Sequence, residues 1–185
     1  MATHSSVHLA LVRGINVGGK HMIPMAALAG IVTECGCSDV RTYIQSGNVV
    51  FGAAPSVARR VPRLAAEKIE ERFGFKPLVL IRTGDEVARV AADNPFLSAD
   101  PDGKALFVGF LAEVPDPRLV ATLDPNRSPG DSCAVRGREV YLHLRNGVLK
   151  TKLTGPFLDS ALSTTSTTRN WRTVMKLAEL TGQSR

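Results

Sequence analysis

The chain has 185 residues, 44% of them hydrophobic and 22% charged, with a formal net charge of +6. That length buries a core without staples, as one domain or two small ones, and no apolar run approaches the ~18 residues of a membrane span, so a soluble protein with no membrane partner is expected. Three cysteines are too few for a disulfide framework, His4, His8, His21 and His143 show no metal-ligand spacing, and the opening MATHSSVHLALVRG lacks the features of a secretory signal; reduced thiols, no metal and a cytoplasmic location follow.

The first apolar segment, His8 to Val12, reads as a strand that ends at Arg13-Gly14. After a glycine-rich loop, a helical pattern opens at Pro24, a residue suited to a first turn. Met25, Leu28, Val32 and Cys35 recur at spacings of three and four on one face, and Gly36 is placed to end the helix. VRTYIQSGNVVF gives two β-rich runs around Ser46-Gly47, where glycine supplies the positive φ of a tight hairpin. The row Val57, Val61, Ala65, Ile69, Phe73 predicts a helix that starts or kinks at Pro62 and closes at Gly74. Leu78 to Ile81 is a short buried strand between Pro77 and Gly84.

A connecting helix over Asp85 to Ala92 and the turn-rich DNPFLSADPDG lead to a strong strand, Ala105 to Ala112. A short helix near Arg118 to Leu123, a hairpin from Cys133 to Leu144 turning near Gly137, and a helix after Pro156 follow. A strand in STTSTTRN completes a second copy of the first half's element order, ahead of a final helix from Trp171 to Leu180. No residue-level repeat accompanies it. The order is that of the split βαβ, or ferredoxin-like, unit. The predicted fold is therefore α+β, a tandem pair of ferredoxin-like βαββαβ units over residues 1–83 and 84–185, the second carrying the C-terminal helix, with the two free to pack as one compact unit. In this topology the hairpin turn lies where the first strand ends, so Ser46-Gly47 is expected beside the Arg13 to Lys20 loop.

Within that loop GINVGGKH, residues 14–21, comes within one residue of the phosphate-binding P-loop. His21 stands where the magnesium-holding hydroxyl belongs, the helix opens at Pro24 instead of directly after Lys20, and no second strand ends in a metal-binding aspartate, so nucleotide hydrolysis is not predicted. Two readings stay open. The amides of Gly14, Gly18 and Gly19, with Asn16 among them and Arg13 and Lys20 alongside, can hold an anion near a helix start; or the glycines only turn a strand into a helix. The hairpin adds Gln45, Ser46 and Asn48 beside Arg41 and Tyr43. Their convergence, without a histidine, cysteine or carboxylate base, favours binding over catalysis, while Ser46 and Asn48 can equally satisfy local backbone.

Toward the C-terminus, Thr167, Thr168, Arg169 and Asn170 precede the amphipathic run from Trp171. A threonine or Asn170 caps that helix, and Arg169, a cation opposed to the helix dipole, calls for an anion, partner or substrate. Lys150 and Lys152 of LKTKL read as lysines on one face of an extended segment that guards a strand edge. Cys35-Gly36-Cys37 lacks the two-residue spacing of redox motifs, and His143 reads as a packed or surface residue.

In combination, ALVRGINVGGKHMIPMAAL, VRTYIQSGNVVF and TTRNWRTVMKLAEL resemble the signatures of the bacterial family of domain of unknown function 1697 (DUF1697), across the length of the chain. The resemblance implies a cytosolic tandem ferredoxin-like protein with no agreed activity and no cofactor. It also assigns the glycine loop to that family instead of to P-loop enzymes, with His21 at a position that commonly holds Asn.

The leading expectation is a protein that binds a small anionic or phosphorylated ligand. Its candidate contacts are Arg13, Gly14, Asn16, Gly18, Gly19, Lys20, Gln45, Ser46, Asn48, Arg169 and Asn170, with no catalytic residue, metal or cofactor assigned. Two alternatives stand beside it. One is a nucleic-acid binder using the net positive field on an open sheet face, without the RRM aromatic signature. The other is a structural or assembly protein whose polar segments bind each other within the chain or across a dimer.

Overall fold

The structure, a computed structural model, describes residues 6–124 and 126–182; the expectations that fall on His4 and the opening residues lie outside them. Its backbone contacts gather into two units, one of residues up to Arg89 together with those from Leu177 onward, the other Val90–Lys176. Among the described residues no helix is long and apolar enough to cross a membrane.

The first unit runs β1 (Ser6–Val12), α1 (Met25–Glu34), β2 (Ser38–Tyr43), β3 (Asn48–Ala53), α2 (Pro55–Ala58), α3 (Val61–Phe73) and β4 (Val79–Thr83), with α4 (Gly84–Ala92) leading out of it. The strands form an antiparallel sheet in the order β2-β3-β1-β4. Strand alternation sends Ala10, Val12, Val49 and Phe51 toward one face, where they are buried with Leu28, Ile31 and Val32 of α1 and Val61, Ala65 and Ile69 of α3. The intervening Leu9, Leu11 and Val50 are 0%, 0% and 3% exposed. Both faces of the central strands are therefore buried, which is why β1 and β3 read as continuous apolar runs.

Local chemistry sets the boundaries. Pro24 precedes the first helical residue of α1 in extended conformation (φ −60, ψ 136), so the helix opens at Met25, one position later than the sequence suggests. The row from Val57 to Phe73 is broken between α2 and α3, and Pro62 falls in the first turn of α3, where its missing N–H has no helical partner to lose. Gly74 closes α3 in the left-handed region at φ 76, donating its N–H to Glu70. The β2–β3 connection is also longer than a two-residue turn. It spans residues 44–47, with Ile44 at φ 48 and Gly47 at φ 74. At the start of α4, Thr83 Oγ1 accepts from the Glu86 N–H at 3.2 Å while Glu86 Oε2 accepts from the Thr83 N–H at 2.7 Å, a reciprocal capping box.

The second unit holds β5 (Leu106–Leu111), α5 (Pro117–Ala121), β6 (Ser132–Arg136), β7 (Glu139–His143), α6 (Gly155–Ala161) and β8 (Ser166–Asn170), and α7 (Trp171–Gly182) follows. Its sheet is again antiparallel, in the order β6-β7-β5-β8. Leu111, Val140, Leu142 and Leu144 pack with Leu158 and Leu162. The two units repeat in their backbone bonds what they do not repeat in residues. Val12 N–H to Gly47 O (2.8 Å) and Arg13 N–H to Leu78 O (2.9 Å) in the first correspond to Leu111 N–H to Arg138 O and Ala112 N–H to Thr165 O (both 2.8 Å) in the second.

LKTKL is not a strand: residues 148–150 form a turn, and Lys150 and Lys152 are exposed on it. A buried carboxylate fixes the loop. Asp131, 5% exposed, accepts from the Asn146 N–H at 2.9 Å and from Ser128 Oγ at 2.7 Å, while Ser128 Oγ accepts from the Lys152 N–H at 3.0 Å. Asn146 Nδ2 donates to Pro129 O at 2.8 Å. Arg127 donates through Nε to Lys152 O at 3.2 Å and lies 3.7 Å above the Phe157 ring. His143, 5% exposed, packs with its ring 5.8 Å from that of Phe96. Cys35 and Cys37 are buried free thiols, and burial, with Cys35 adding to it, pushes the Cys37 thiol up to about 11.

Burial alone would raise the Asp131 carboxyl, but hydrogen bonds from Asn146, Ser128 and Thr151 outweigh it and hold the group below the usual carboxylate range. A depressed carboxyl stabilises the fold above its unfolded value of about 3.9, and that contribution disappears as pH falls through the folded value. Asp131→Asn should therefore lower stability at neutral pH by about 1–3 kcal/mol and flatten the acid limb of the melting-temperature profile. An unchanged acid limb would show that the bonds do not stabilise the charged form.

Candidate ligand-binding edge

The first unit's loops meet where β1 ends. The Val12 and Arg13 N–H groups bond to Gly47 and Leu78, so the chain leaves the sheet between the turn before β3 and the approach to β4. A side chain at Gly47 would place its Cβ 2.7 Å from Val12 O, which, with the positive φ of 74, restricts the position to glycine.

Beyond Arg13 the loop folds into a miniature hairpin. Asn16 N–H donates to His21 O (3.2 Å) and Lys20 N–H to Val17 O (3.0 Å), and Val17 and Lys20 form an antiparallel bridge. Gly18 and Gly19 lie between them at φ 58 and φ 72, the two left-handed residues that a type I′ turn requires. The glycine spacing shared with a P-loop thus turns a hairpin, and the Lys20 amide is spent inside it.

Asn16 sits at φ 55 and His21 at φ 52, a region that Asn and His enter more readily than most residues. The Asn16 carboxamide pairs with the Ile23 peptide, Oδ1 accepting from its N–H at 2.8 Å and Nδ2 donating to its carbonyl at 3.0 Å, and Nδ2 also donates to Gln45 O at 3.0 Å. His21 stacks on Phe75 with ring centroids 4.2 Å apart and donates from Nδ1 to Gly14 O at 3.1 Å. Ile15 and Ile23, each 2% exposed, anchor the loop in the core.

Loop, turn and β4 approach therefore come together as the strand topology predicts, and their roles differ. Asn48, fully buried, donates from Nδ2 to Tyr43 O at 3.1 Å and to Ser46 Oγ at 2.9 Å, so Asn48 and Ser46 hold the turn. Gln45 and Lys20 are exposed, as are Gly14, Gly18 and Gly19, while Arg13 is half-buried. Segments 13–23, 44–48 and 75–78 contain no aspartate or glutamate; Lys76 is tied to Glu70 at 3.0 Å. Exposed Val17, Met22 and Ile44 complete the surface. Phe75 and Ile23 are not among the candidate residues of the sequence reading, which has Leu78 only as the start of a strand; the only signal for Phe75 is an aromatic set between the breakers Gly74 and Pro77.

Arg169 and Asn170 belong to the second unit. Asn170 Oδ1 accepts from the Thr173 N–H at 2.8 Å and caps α7. Arg169, 8% exposed, donates from Nη1 to Thr167 Oγ1 at 2.7 Å and Thr168 O at 2.9 Å. Burial lowers its pKa from the ordinary arginine value. Among the described residues, no three His, Cys, Asp or Glu side chains gather as metal ligands.

Two four-stranded antiparallel sheets with flanking helices define an α+β protein. The chain belongs to the DUF1697 family, described as a protein of unknown function, whose model matches residues 6–141. It is similar in fold to the conserved bacterial protein SP0830 from Streptococcus pneumoniae, with a TM-score of 0.73 and 23% identity over 96% of this chain and 99% of that one. No curated protein matches it.

Asn16→Ala strands the Ile23 N–H and two carbonyls and is expected to cost about 1–3 kcal/mol in chemical denaturation. Gly47→Ala, strained and crowded against Val12 O, should cost about as much. A fully stable Asn16→Ala protein would disprove the role of this carboxamide as the loop's lock.

Proposed function

We propose that the first unit binds an anionic, phosphate-bearing ligand at the edge where the 16–21 hairpin meets the 44–47 turn, and that both units are ferredoxin-like scaffolds. The observation that carries the binding reading is that the loop bearing Arg13 and Lys20 is bonded to the 44–47 turn and that segments 13–23 and 44–48 contain no aspartate or glutamate. A local field of one sign raises the concentration of anions at such a surface. The scaffold reading is supported by the order strand, helix, strand, strand, helix, strand in each unit and by the matching sheet orders. A cytoplasmic setting is in keeping with the free thiols.

In this reading Arg13, Lys20 and the Gln45 side chain contact the ligand, with the exposed peptide groups at Gly14, Gly18 and Gly19. Asn16, Ser46 and Asn48 act through the backbone they position. Recognition rests on side chains displayed by a hairpin, because the Asn16 and Lys20 amides already bond within it. Asn170, committed to the α7 cap, and Arg169, bonded to its own strand, serve the second unit's structure.

Thermal shift with inorganic phosphate, a nucleoside triphosphate and a single-stranded oligonucleotide tests the reading. A probe present at about 100 times its Kd should stabilise the protein by about 2.7 kcal/mol. Lys20→Ala and Arg13→Ala should each weaken the gain, and Lys20→Ala should leave unliganded stability within about 0.5 kcal/mol. A shift confined to the oligonucleotide and falling steeply with salt would identify a nucleic-acid backbone as the phosphate source. No shift with any probe, or an undiminished shift in both variants, overturns the proposal.

A further inference from the structure

Of the six asparagines in the chain, Asn146 alone precedes a glycine; the others precede Val17, Val49, Pro95, Arg127 and Trp171. An asparagine cyclises when the next peptide nitrogen reaches its side-chain Cγ, and a following glycine has no Cβ to hinder that approach. Asn146 is exposed, so water and hydroxide reach it.

The fold of the second unit nevertheless keeps the two reacting groups engaged elsewhere. The Gly147 N–H, on the attacking nitrogen, donates to Leu144 O at 2.9 Å. Asn146 Nδ2, on the leaving side, donates to Pro129 O at 2.8 Å, and the Asn146 N–H donates to Asp131 Oδ1 at 2.9 Å. Gly130, at φ 92, makes room for this arrangement, since a Cβ there would stand 3.5 Å from Asn146 Nδ2 and 3.6 Å from Oδ1. Further along the turn, the N–H groups of Lys150 and Thr151 donate to Gly147 O at 3.2 and 3.1 Å. Ser128 Oγ closes the network, donating to Asp131 at 2.7 Å and accepting from the Lys152 N–H at 3.0 Å. Cyclisation therefore requires several of these bonds to open together.

We propose that Asn146–Gly147 is a deamidation site that the Asp131 network holds closed. Once the loop opens, the Gly147 nitrogen gives its proton to solvent base and bonds to Asn146 Cγ. The Cγ–Nδ2 bond breaks and the nitrogen departs as ammonia. The succinimide that remains takes up one water: attack at Cγ yields aspartate, and attack at the Asn146 backbone carbonyl carbon yields isoaspartate, in which the main chain runs through the former side chain. Either product replaces the donor to Pro129 O with a carboxylate and adds a negative charge near Asp131, so the loop cannot close as before. A transient opening of residues 144–152 is thereby made permanent, which makes the site a one-way switch.

Peptide mapping by mass spectrometry of the full chain, held at mildly alkaline pH, tests this. The samples are the wild type folded and in denaturant, Asp131→Ala, Ser128→Ala, and Asn16→Ala, which weakens the first unit and leaves this loop intact. A reaction confined to open molecules follows the population of the open state, which a loss of one to two kcal/mol raises about 5–30-fold. Conversion at Asn146 should be fastest in denaturant and slow in the folded wild type and Asn16→Ala. In Asp131→Ala it should run about 5–30-fold faster than in the wild type. Ser128→Ala should fall between, and it carries the comparison if Asp131→Ala does not fold. Asn146→Asp should melt below the wild type. The proposal is overturned by a folded wild type that converts as fast as the denatured chain, or by a denatured chain that does not convert. It is equally overturned by network variants no faster than the wild type or than Asn16→Ala, or by an unchanged melting temperature for Asn146→Asp.

Discussion

The Asn16 carboxamide carries the geometry of the first unit's loop edge, because its bonds to Ile23 and Gln45 join the glycine loop to the turn before β3. Each such bond adds only about 1 kcal/mol net, but leaving its partners unpaired costs more. The asymmetry favours one loop arrangement over the others the glycines permit. With Asn16 engaged, the hairpin, the Gln45 side chain and the Arg13 backbone take fixed places; without it, Gly14, Gly18 and Gly19 would leave the loop free to spread over many conformations.

A shared backbone plan underlies both units, and their loops diverge from it. The same strand order and the same pair of bonds at the end of the first strand recur. The first unit then spends a dozen residues on a displayed hairpin, whereas the second passes directly to α5 through Val114 and Pro115 and invests its buried polar network in the loops around Asp131. Function on such scaffolds resides in the loops, where packing constrains the chain least.

Much of the scaffold was legible in the sequence because its signals were periodic or punctuating. Leu28 and Val32 mark the buried side of α1, Gly74 terminates α3, and the order of strands and helices was enough to bring Gly47 to the end of β1. The edge was less legible, because one residue type serves several geometries. Gly18-Gly19 is compatible with a phosphate cradle and with a type I′ turn, and the choice depends on long-range bonds that no local pattern records. Ile44 at positive φ defies the preference of β-branched residues and lengthened the turn beyond expectation. LKTKL alternates like a strand, yet buried Asp131, distant in sequence, ties it into a turn. Candidates chosen as ligand contacts for their polar atoms, Asn16 and Asn48 above all, use those atoms on the backbone.

The two-residue turn at Gly18-Gly19 also acts as a ruler. It sets Val17 opposite Lys20 and Asn16 opposite His21, and side chains alternate sides along each arm. One residue added at the tip would shift the pairing by one and exchange the two sides of the returning arm, carrying the lysine away from the face it now shares and drawing Ile23 out of step with the Asn16 amide. Length at this tip is thus bound to the side on which charge is displayed, so even an insertion at its most exposed point would alter what the edge presents.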